Sequence, residues 1–208
     1  MFNPSITRMH QGKYVFSQIV AGVVRYQFNQ CVARYHGECR VRQLTCWEQF
    51  LALAFGQLTF RKSLRDIVVC LTAHREKLYH LGFRSVLRRS TLADANESRD
   101  WRIWESFAGR LITQARELYL GEDLGLDLSN TVYALDSTTI DLCLSVFPWA
   151  PFRSTKAAIK LHTLLDLRGN IPSFIFVSDG KLHEVNVLDQ LLPEPGAFYV
   201  MDRGYLDF

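Results

Sequence analysis

Two aspartates are the residues of this chain best suited to chemistry. Asp136 lies within the apolar and β-branched segment 131–142, and Asp202 directly follows the apolar run 197–201. A carboxylate inside an apolar strand costs free energy unless it is paired or holds a cation. A strand that ends in an acid brings its carboxylate to the rim of a sheet, where sites commonly form. If the last strand pairs with the first, the two carboxylates become neighbours and repel each other unless a divalent cation bridges them.

Oxygen ligands of this kind suit Mg²⁺ or Mn²⁺, so the pair predicts a divalent metal site with catalytic potential. Two such ions would support in-line displacement at a phosphodiester. A structural alternative stays open, in which Asp202 caps the strand end or pairs with Arg203. Asp136 would then bond to Ser137, Thr138 or the backbone. Neither a GxxxxGK[ST] nor a GxGxxG phosphate loop occurs in the sequence.

The charge of the 208-residue chain is divided unevenly along its length. Residues 1–100 carry 15 Lys and Arg against 7 Asp and Glu, and residues 101–208 carry 9 against 14. A basic first half suits docking on a polyanion, and an acidic second half suits metal or carboxylate chemistry. Two solvated surfaces of opposite sign are the alternative. The candidate contacts to DNA phosphates are Arg61, Lys62, Arg65, Arg153, Lys156, Lys160 and Arg203.

The first half has the apolar spacing of helices. Such spacing runs through residues 13–35 and 100–119. Helix starts are predicted where Ser or Thr precedes an acid by three residues, at Thr45, Ser63 and Thr91. The close pair of helices at 45–60 and 63–78 fits a helix-turn-helix, and an ordinary αα-hairpin fits equally well.

The second half has the pattern of strands, after a predicted domain boundary near Gly121–Gly125. Strands are predicted at 131–142, 158–167, 171–177 and 197–201, with a helix at 184–192. This β-β-β-α-β order suits an α+β or an α/β sheet, and the helix would let the last strand run parallel to an earlier one. With a helical first half, we expect the α+β class.

The composition, 48% apolar and 22% charged, is that of a globular protein. No apolar run is long enough to cross a bilayer, and residues 1–11 lack the apolar stretch of a signal peptide. The five cysteines form no CxxC pair, which suits reduced thiols in a cytosol. We therefore expect a cytoplasmic protein with no membrane partner.

Several long motifs resemble the bacterial insertion-sequence transposases of the DDE class, IS-four type. In the second half they are ALDSTTIDL, FPWAPFRSTKAAIKLHTLLDLRGNIP, GKLHE and PGAFYVMDRGYLDF, in this order. In the first half, HGECRVRQLTCWEQFLALAFGQLTFRKSLRDI and RSTLADANESRDWRIW resemble the N-terminal domain of these transposases, which is commonly assigned to DNA binding.

The resemblance implies a helical, basic DNA-binding domain at 1–120 and the first portion of an RNase H-like catalytic domain at 121–208. It implies that Asp136 in LDST and Asp202 in MDRGY are the first two catalytic acids and ligate Mg²⁺ or Mn²⁺. The implied partners are the terminal repeats of the element, target DNA and a second copy of the chain in a synaptic complex. The implied location is the bacterial nucleoid.

The chain departs from the family pattern after Asp202. The third acid of the family, a Glu on a later helix, and the Y-R-E-K signature have no counterpart in the 208 residues. Glu184 and Asp207 do not replace that Glu by motif. We therefore expect a truncated transposase whose intact form cuts and joins DNA, with apolar sheet surface exposed where the later helix is missing. The alternative is a catalytically inactive truncated transposase that acts only as a DNA-binding or inhibitory protein.

Overall fold

The computed structural model describes residues 14–39, 41–119, 130–142, 151–153 and 156–206. The chain forms two compact units, residues 1–111 and 112–208. The predicted boundary near Gly121–Gly125 lies outside the described residues. The division into domains at 120/121 therefore stays a prediction.

In the described part of the first unit, all of the regular secondary structure is helical. They are α1 (Val15–Ala21), α2 (Arg25–Arg34), α3 (Cys46–Leu58), α4 (Leu64–Ala73), α5 (Arg89–Ser98) and α6 (Arg102–Tyr119), with a 3-10 helix at Arg75–Lys77. The last residues of α6 belong to the second unit. In the described part of the chain, no helix has the length and apolar character that crossing a membrane requires.

Two of the three predicted helix starts are confirmed in their capping contacts. At Thr45, the hydroxyl accepts from the Glu48 backbone N–H and the Glu48 carboxylate accepts from the Thr45 N–H, a complete capping box. At Ser63, the hydroxyl accepts from the backbone N–H of Asp66. These contacts satisfy backbone donors that a helix start otherwise leaves free.

Two predictions about the helices are wrong in detail. The segment 13–35 is not one helix but two, because the chain leaves helical geometry between Gly22 and Val24, and Val24 is extended. The helix expected from Thr91 begins at Arg89, and no side chain caps it. The apolar spacing of both segments was real, but it does not define where a helix begins or breaks.

The core of the first unit is built around Phe28, which is fully buried. Its ring lies 4.9 to 5.9 Å from four other aromatic rings, two on α3 and two on α6: Trp47, Phe50, Trp104 and Phe107. Edge-on and tilted packing of this kind stabilises a core beyond simple burial. These aromatic residues therefore hold α2, α3 and the first half of α6 together.

The second unit contains a mixed sheet. Its strands are β1 (Val132–Leu142), β2 (Pro151–Arg153), β3 (Lys156–Asp166), β4 (Ile171–Asp179) and β5 (Phe198–Met201), and the one-turn helix α7 (Val185–Leu188) precedes β5. β3 lies between β1 and β4 and is antiparallel to both. β5 lies on the other side of β1 and is parallel to it.

This architecture confirms the predicted α+β class and its β-β-β-α-β order, and it is consistent with a partial RNase H-like fold. The predicted parallel pairing of the last strand is also correct. The helix expected at 184–192 is shorter, because after Leu188 the chain continues with i→i+3 turns to Gln190 and Leu191. The short β2 was not predicted as a strand.

The two faces of the sheet differ in burial. One face packs on a second core, which contains Tyr133, Leu135, Leu164, Val187 and Tyr205. On the opposite face, side chains that the strand register aligns are 40 to 59% exposed: Ile140, Ile175, Val177, Phe198 and Val200. The expected apolar exposure of the sheet is therefore present on this face.

The packing of Phe28 predicts the result of a pair of substitutions. Phe28→Ala removes a buried ring with four aromatic neighbours and should lower the free energy of unfolding of the first unit by about 3–5 kcal/mol. Phe60→Ala is the matched control, because Phe60 is 90% exposed. It should change that free energy by less than about 0.5 kcal/mol. Urea unfolding followed by tryptophan fluorescence measures both, and equal losses would contradict this account of the core.

Candidate active site

The parallel pairing of β1 with β5 sets the relation between the two predicted acids. Leu135 on β1 is the register partner of Met201 on β5. Asp136 follows Leu135 within β1, and Asp202 follows Met201 directly after β5 ends, so the two acids come at corresponding positions. Asp136 and Asp202 are exposed. The strand pairing therefore gives corresponding positions to two acids that are 66 positions apart in the sequence.

Asp202 also begins the 3-10 helix Arg203–Tyr205, where its carboxylate accepts a hydrogen bond from the Arg203 backbone N–H. This is the capping role that the sequence left open as an alternative. The contact involves Oδ1 and fixes the direction of the carboxylate. Capping and metal binding are compatible, because a carboxylate offers two oxygens and about four lone-pair positions.

Tyr205 anchors this turn in the core of the second unit. Its side chain is 2% exposed, and its hydroxyl lies 3.1 Å from Nδ1 of His162 on β3. The other ring nitrogen of His162 lies 3.1 Å from the hydroxyl of Ser178 on β4. The turn that carries Asp202 is thus tied to β3 and β4 by a buried chain of three polar side chains.

Burial keeps the polar groups beneath the two acids neutral. Burial is the main cause that raises the pKa of Tyr205, and the charges of Glu184, Asp136 and Asp202 raise it further. Both candidate carboxylates therefore lie within electrostatic range of the same hydroxyl. Burial also lowers the pKa of His162, with a contribution from Lys160.

A third carboxylate, Glu184, lies at the edge of this arrangement. Its Oε1 accepts from the Lys160 ammonium at 3.1 Å and from the Ser137 hydroxyl at 3.2 Å. Its Oε2 lies against Gly204, where an added Cβ would come within 2.6 Å of it. Glu184 therefore connects the residue after Asp136 with the turn after Asp202.

The donor set fits a divalent cation in part. Asp136 and Asp202 offer exposed carboxylate oxygens, the ligand type that Mg²⁺ and Mn²⁺ prefer. Among the described residues, no group of three or more His, Cys, Asp or Glu side chains has the arrangement of a metal site. The Oε1 atom of Glu184 already accepts hydrogen bonds from Lys160 and Ser137. Metal binding by Asp136 and Asp202 therefore stays a prediction.

The basic residues predicted to contact DNA have different surroundings. Arg61, Lys62 and Arg65 are exposed around the start of α4, and Lys156 and Arg203 are also exposed. Lys160 differs, because its side chain is only 15% exposed and its ammonium is paired with Glu184. The Arg153 side chain lies outside what the structure describes. The role of these residues in DNA binding stays a prediction.

Three residues of this site were not singled out by sequence as functional: Tyr205, Glu184 and Ser178. His162 is buried, and its contacts with Tyr205 and Ser178 agree with a structural role. One signal was available for Glu184 and Tyr205, because both lie in motifs that carry the family resemblance, GKLHE and MDRGY. Their contact with β1 and β3 depends on the tertiary fold.

Two family models match the chain in separate regions. Residues 127–207 match the transposase DDE domain, and residues 11–84 match a domain of unknown function, DUF4372. The second unit, with its two adjacent acids, thus lies almost wholly within a transposase DDE domain. No solved structure matches the chain.

A curated relative extends this result to a particular kind of transposase. The chain is 29% identical over 75 residues to the probable transposase for insertion sequence element IS5377 of Geobacillus stearothermophilus. The match covers 33% of this chain, and the chain spans about a fifth of the length of that relative. By these findings residues 127–207 are similar to transposase DDE domains, and part of the chain is similar to an insertion-sequence transposase.

The buried contact of Tyr205 predicts a loss of stability when its hydroxyl is removed. Tyr205→Phe leaves a ring nitrogen of buried His162 without its partner and should destabilise the second unit by about 1–3 kcal/mol. Tyr79→Phe is the same change at a side chain that is 83% exposed, and it should be nearly neutral. Urea unfolding followed by far-UV circular dichroism tests both, and a neutral Tyr205→Phe would refute the proposed anchor.

The lowered pKa of His162 predicts a pH dependence of stability. The unfolded chain takes up a proton at this residue as the pH falls below about 6.5, and the folded chain resists it. Stability should therefore fall as the pH drops from about 6.5, by at most about 1.4 kcal/mol per pH unit from this residue. His162→Gln should reduce this slope, and the control His74→Gln, at an exposed position, should keep it. Unfolding curves between pH 5 and about pH 8 measure the effect.

Proposed function

We propose that the second unit supplies two carboxylates to a metal-dependent reaction that cuts and joins DNA, as in transposition. One observation supports the proposal: β5 is parallel to β1, and the register pairs Leu135 with Met201, the residues directly before Asp136 and Asp202. Two adjacent, exposed carboxylates repel each other, and a divalent cation between them removes that repulsion. This is the chemistry expected of a transposase DDE domain, the family that residues 127–207 match.

In this proposal Asp136 and Asp202 hold Mg²⁺ or Mn²⁺. When bound, such an ion supplies positive charge that stabilises displacement at a phosphodiester. The residues around the two acids hold the acids in position and set the local charge. Tyr205 and His162 hold the turn after Asp202 against the sheet and stay neutral, and Glu184 neutralises Lys160. Pairing with Lys160 thus offsets the negative charge of Glu184 beside the two acids.

The first unit is proposed to bind the DNA, because residues 1–100 carry the excess of basic residues. Electrostatic attraction to phosphates supplies most of non-specific DNA affinity. The proposed substrates are the terminal repeats of an insertion element and its target DNA. Pairing of two copies in a synaptic complex and association with the nucleoid are part of the same proposal. The relative from Geobacillus stearothermophilus is named a probable transposase, and the proposal extends that activity to this chain.

Substitution of one acid tests the proposal. Asp136→Asn should abolish nicking of supercoiled DNA in Mn²⁺, by about 100-fold or more, because the variant loses a charged metal ligand. Asp141→Asn is the matched control, since Asp141 is exposed on the same strand and five residues away. It should leave nicking unchanged. Terbium luminescence gives a second readout, and binding of the ion should weaken in Asp136→Asn only.

The same assay separates the proposal from its alternative. Nicking that persists in Asp136→Asn would overturn the assignment of the acids. A DNA shift that weakens with salt, without nicking in the unsubstituted chain, would favour the alternative of a fragment that binds or inhibits. Both variants should shift DNA as the unsubstituted chain does, because neither residue belongs to the basic unit.

A further inference from the structure

The first unit contains an open cavity of about 720 Å³ whose charged lining is mostly arginine. Arg42 precedes α3, Arg75 lies in the 3-10 helix, and Arg84 and Arg88 lie in the segment before α5. All four arginines are exposed, and Glu48 is the one acid in the described lining. Four guanidinium groups from three separate segments thus surround one concave surface.

The single acid does not neutralise this surface. The Glu48 carboxylate is buried, and it accepts from the Thr45 backbone N–H, the Arg84 backbone N–H and the Arg84 guanidinium. Burial alone would raise its pKa, but these hydrogen bonds prevail and hold the pKa below its ordinary value. Glu48 is therefore a charged partner of Arg84. The other three arginines make no side-chain hydrogen bond or ion pair with a residue that the structure describes.

With four arginines and one glutamate, the lining has an excess of three positive charges, which favours an anion with several negative groups. Guanidinium groups present paired N–H donors that match the oxygens of a phosphate. Because the arginines come from separate segments, they can contact successive phosphates of an extended chain. Thr91 in the first turn of α5 also lines the cavity and offers a hydroxyl to the same ligand.

We propose that this arginine cavity, lined by Arg42, Arg75, Arg84 and Arg88, binds the phosphodiester backbone of duplex DNA. The site lies within or next to the region that matches a domain of unknown function, and it is separate from the residues that the sequence suggested, Arg61, Lys62 and Arg65. The proposal rests on the proposed function, because it names the surface by which the first unit would hold DNA. It does not depend on the two acids of the second unit.

A triple substitution of the full chain tests the cavity. Arg42→Gln, Arg75→Gln and Arg88→Gln are combined, and Arg84 is kept because its removal would leave buried Glu48 unpaired. The matched control combines Arg25→Gln, Arg34→Gln and Lys77→Gln, which removes the same charge at positions that do not line the cavity. Fluorescence anisotropy measures binding of a labelled duplex in EDTA between 50 and about 200 mM salt. Circular dichroism melting checks that each variant is folded.

The cavity variant should bind the duplex at least about tenfold more weakly than the control at low salt. Its slope of log affinity against log salt should be smaller by about 3, since each lost phosphate contact removes roughly 0.9. Equal affinity and slope in the two triple variants would overturn the cavity assignment. A third variant combines Arg61→Gln, Lys62→Gln and Arg65→Gln. A larger loss of affinity in this variant would also overturn the cavity assignment and place the DNA at the start of α4.

Failure of the cavity assignment can be distinguished from failure of the proposed function. Because the assay contains EDTA, it reports binding without metal-dependent cutting, and Asp136→Asn should bind like the unsubstituted chain. Unchanged DNA binding by the cavity variant, together with nicking that depends on Asp136, would refute the cavity and leave the proposed function standing. An unsubstituted chain that binds no duplex at all would overturn both.

Discussion

The parallel pairing of β5 with β1 is the constraint on which the candidate site depends. It places Met201 beside Leu135, and an aspartate directly follows each of these two residues in the chain. A shift of one residue in this register would move every side chain of β5 to the other face. The register is stabilised by the Tyr133–Tyr199 stack, whose ring centroids lie 5.2 Å apart. Aromatic packing near the start of both strands thus supports the register on which the positions of Asp136 and Asp202 depend.

The turn after Asp202 is held by a different interaction. Tyr205 carries the turn into the second core and meets His162 on β3, which in turn meets Ser178 on β4. Burial of such polar groups is tolerated because each has a partner. The edge strand β5 is only four residues long, so this anchor adds a second attachment to the sheet. The acids are therefore positioned both by strand pairing and by the buried polar chain.

The proposed roles of the two units agree with the basic charge of the first half of the chain and the acidic charge of the second half. The second unit has the paired acids, and the first unit has an arginine-lined cavity in which the lone glutamate is already paired. Most of the fold could be predicted from sequence, since apolar periodicity and capping pairs such as Thr45 with Glu48 depend on local physics. The break near Gly22 and the uncapped start at Arg89 could not, because local signals there compete and packing decides between them.

The sequence by itself determined the types of residue available for chemistry: two aspartates at strand positions, a basic first half and motifs of the DDE transposases. It also determined the order of the elements, because hydrophobic period and turn residues act over short distances. Only the tertiary structure decided which distant residues meet. Glu184 joins Lys160 and Ser137, and Tyr205 joins His162, through contacts that span 24 to 47 positions. The four arginines of the cavity likewise converge because helices pack, and packing over such separations is not contained in any local pattern.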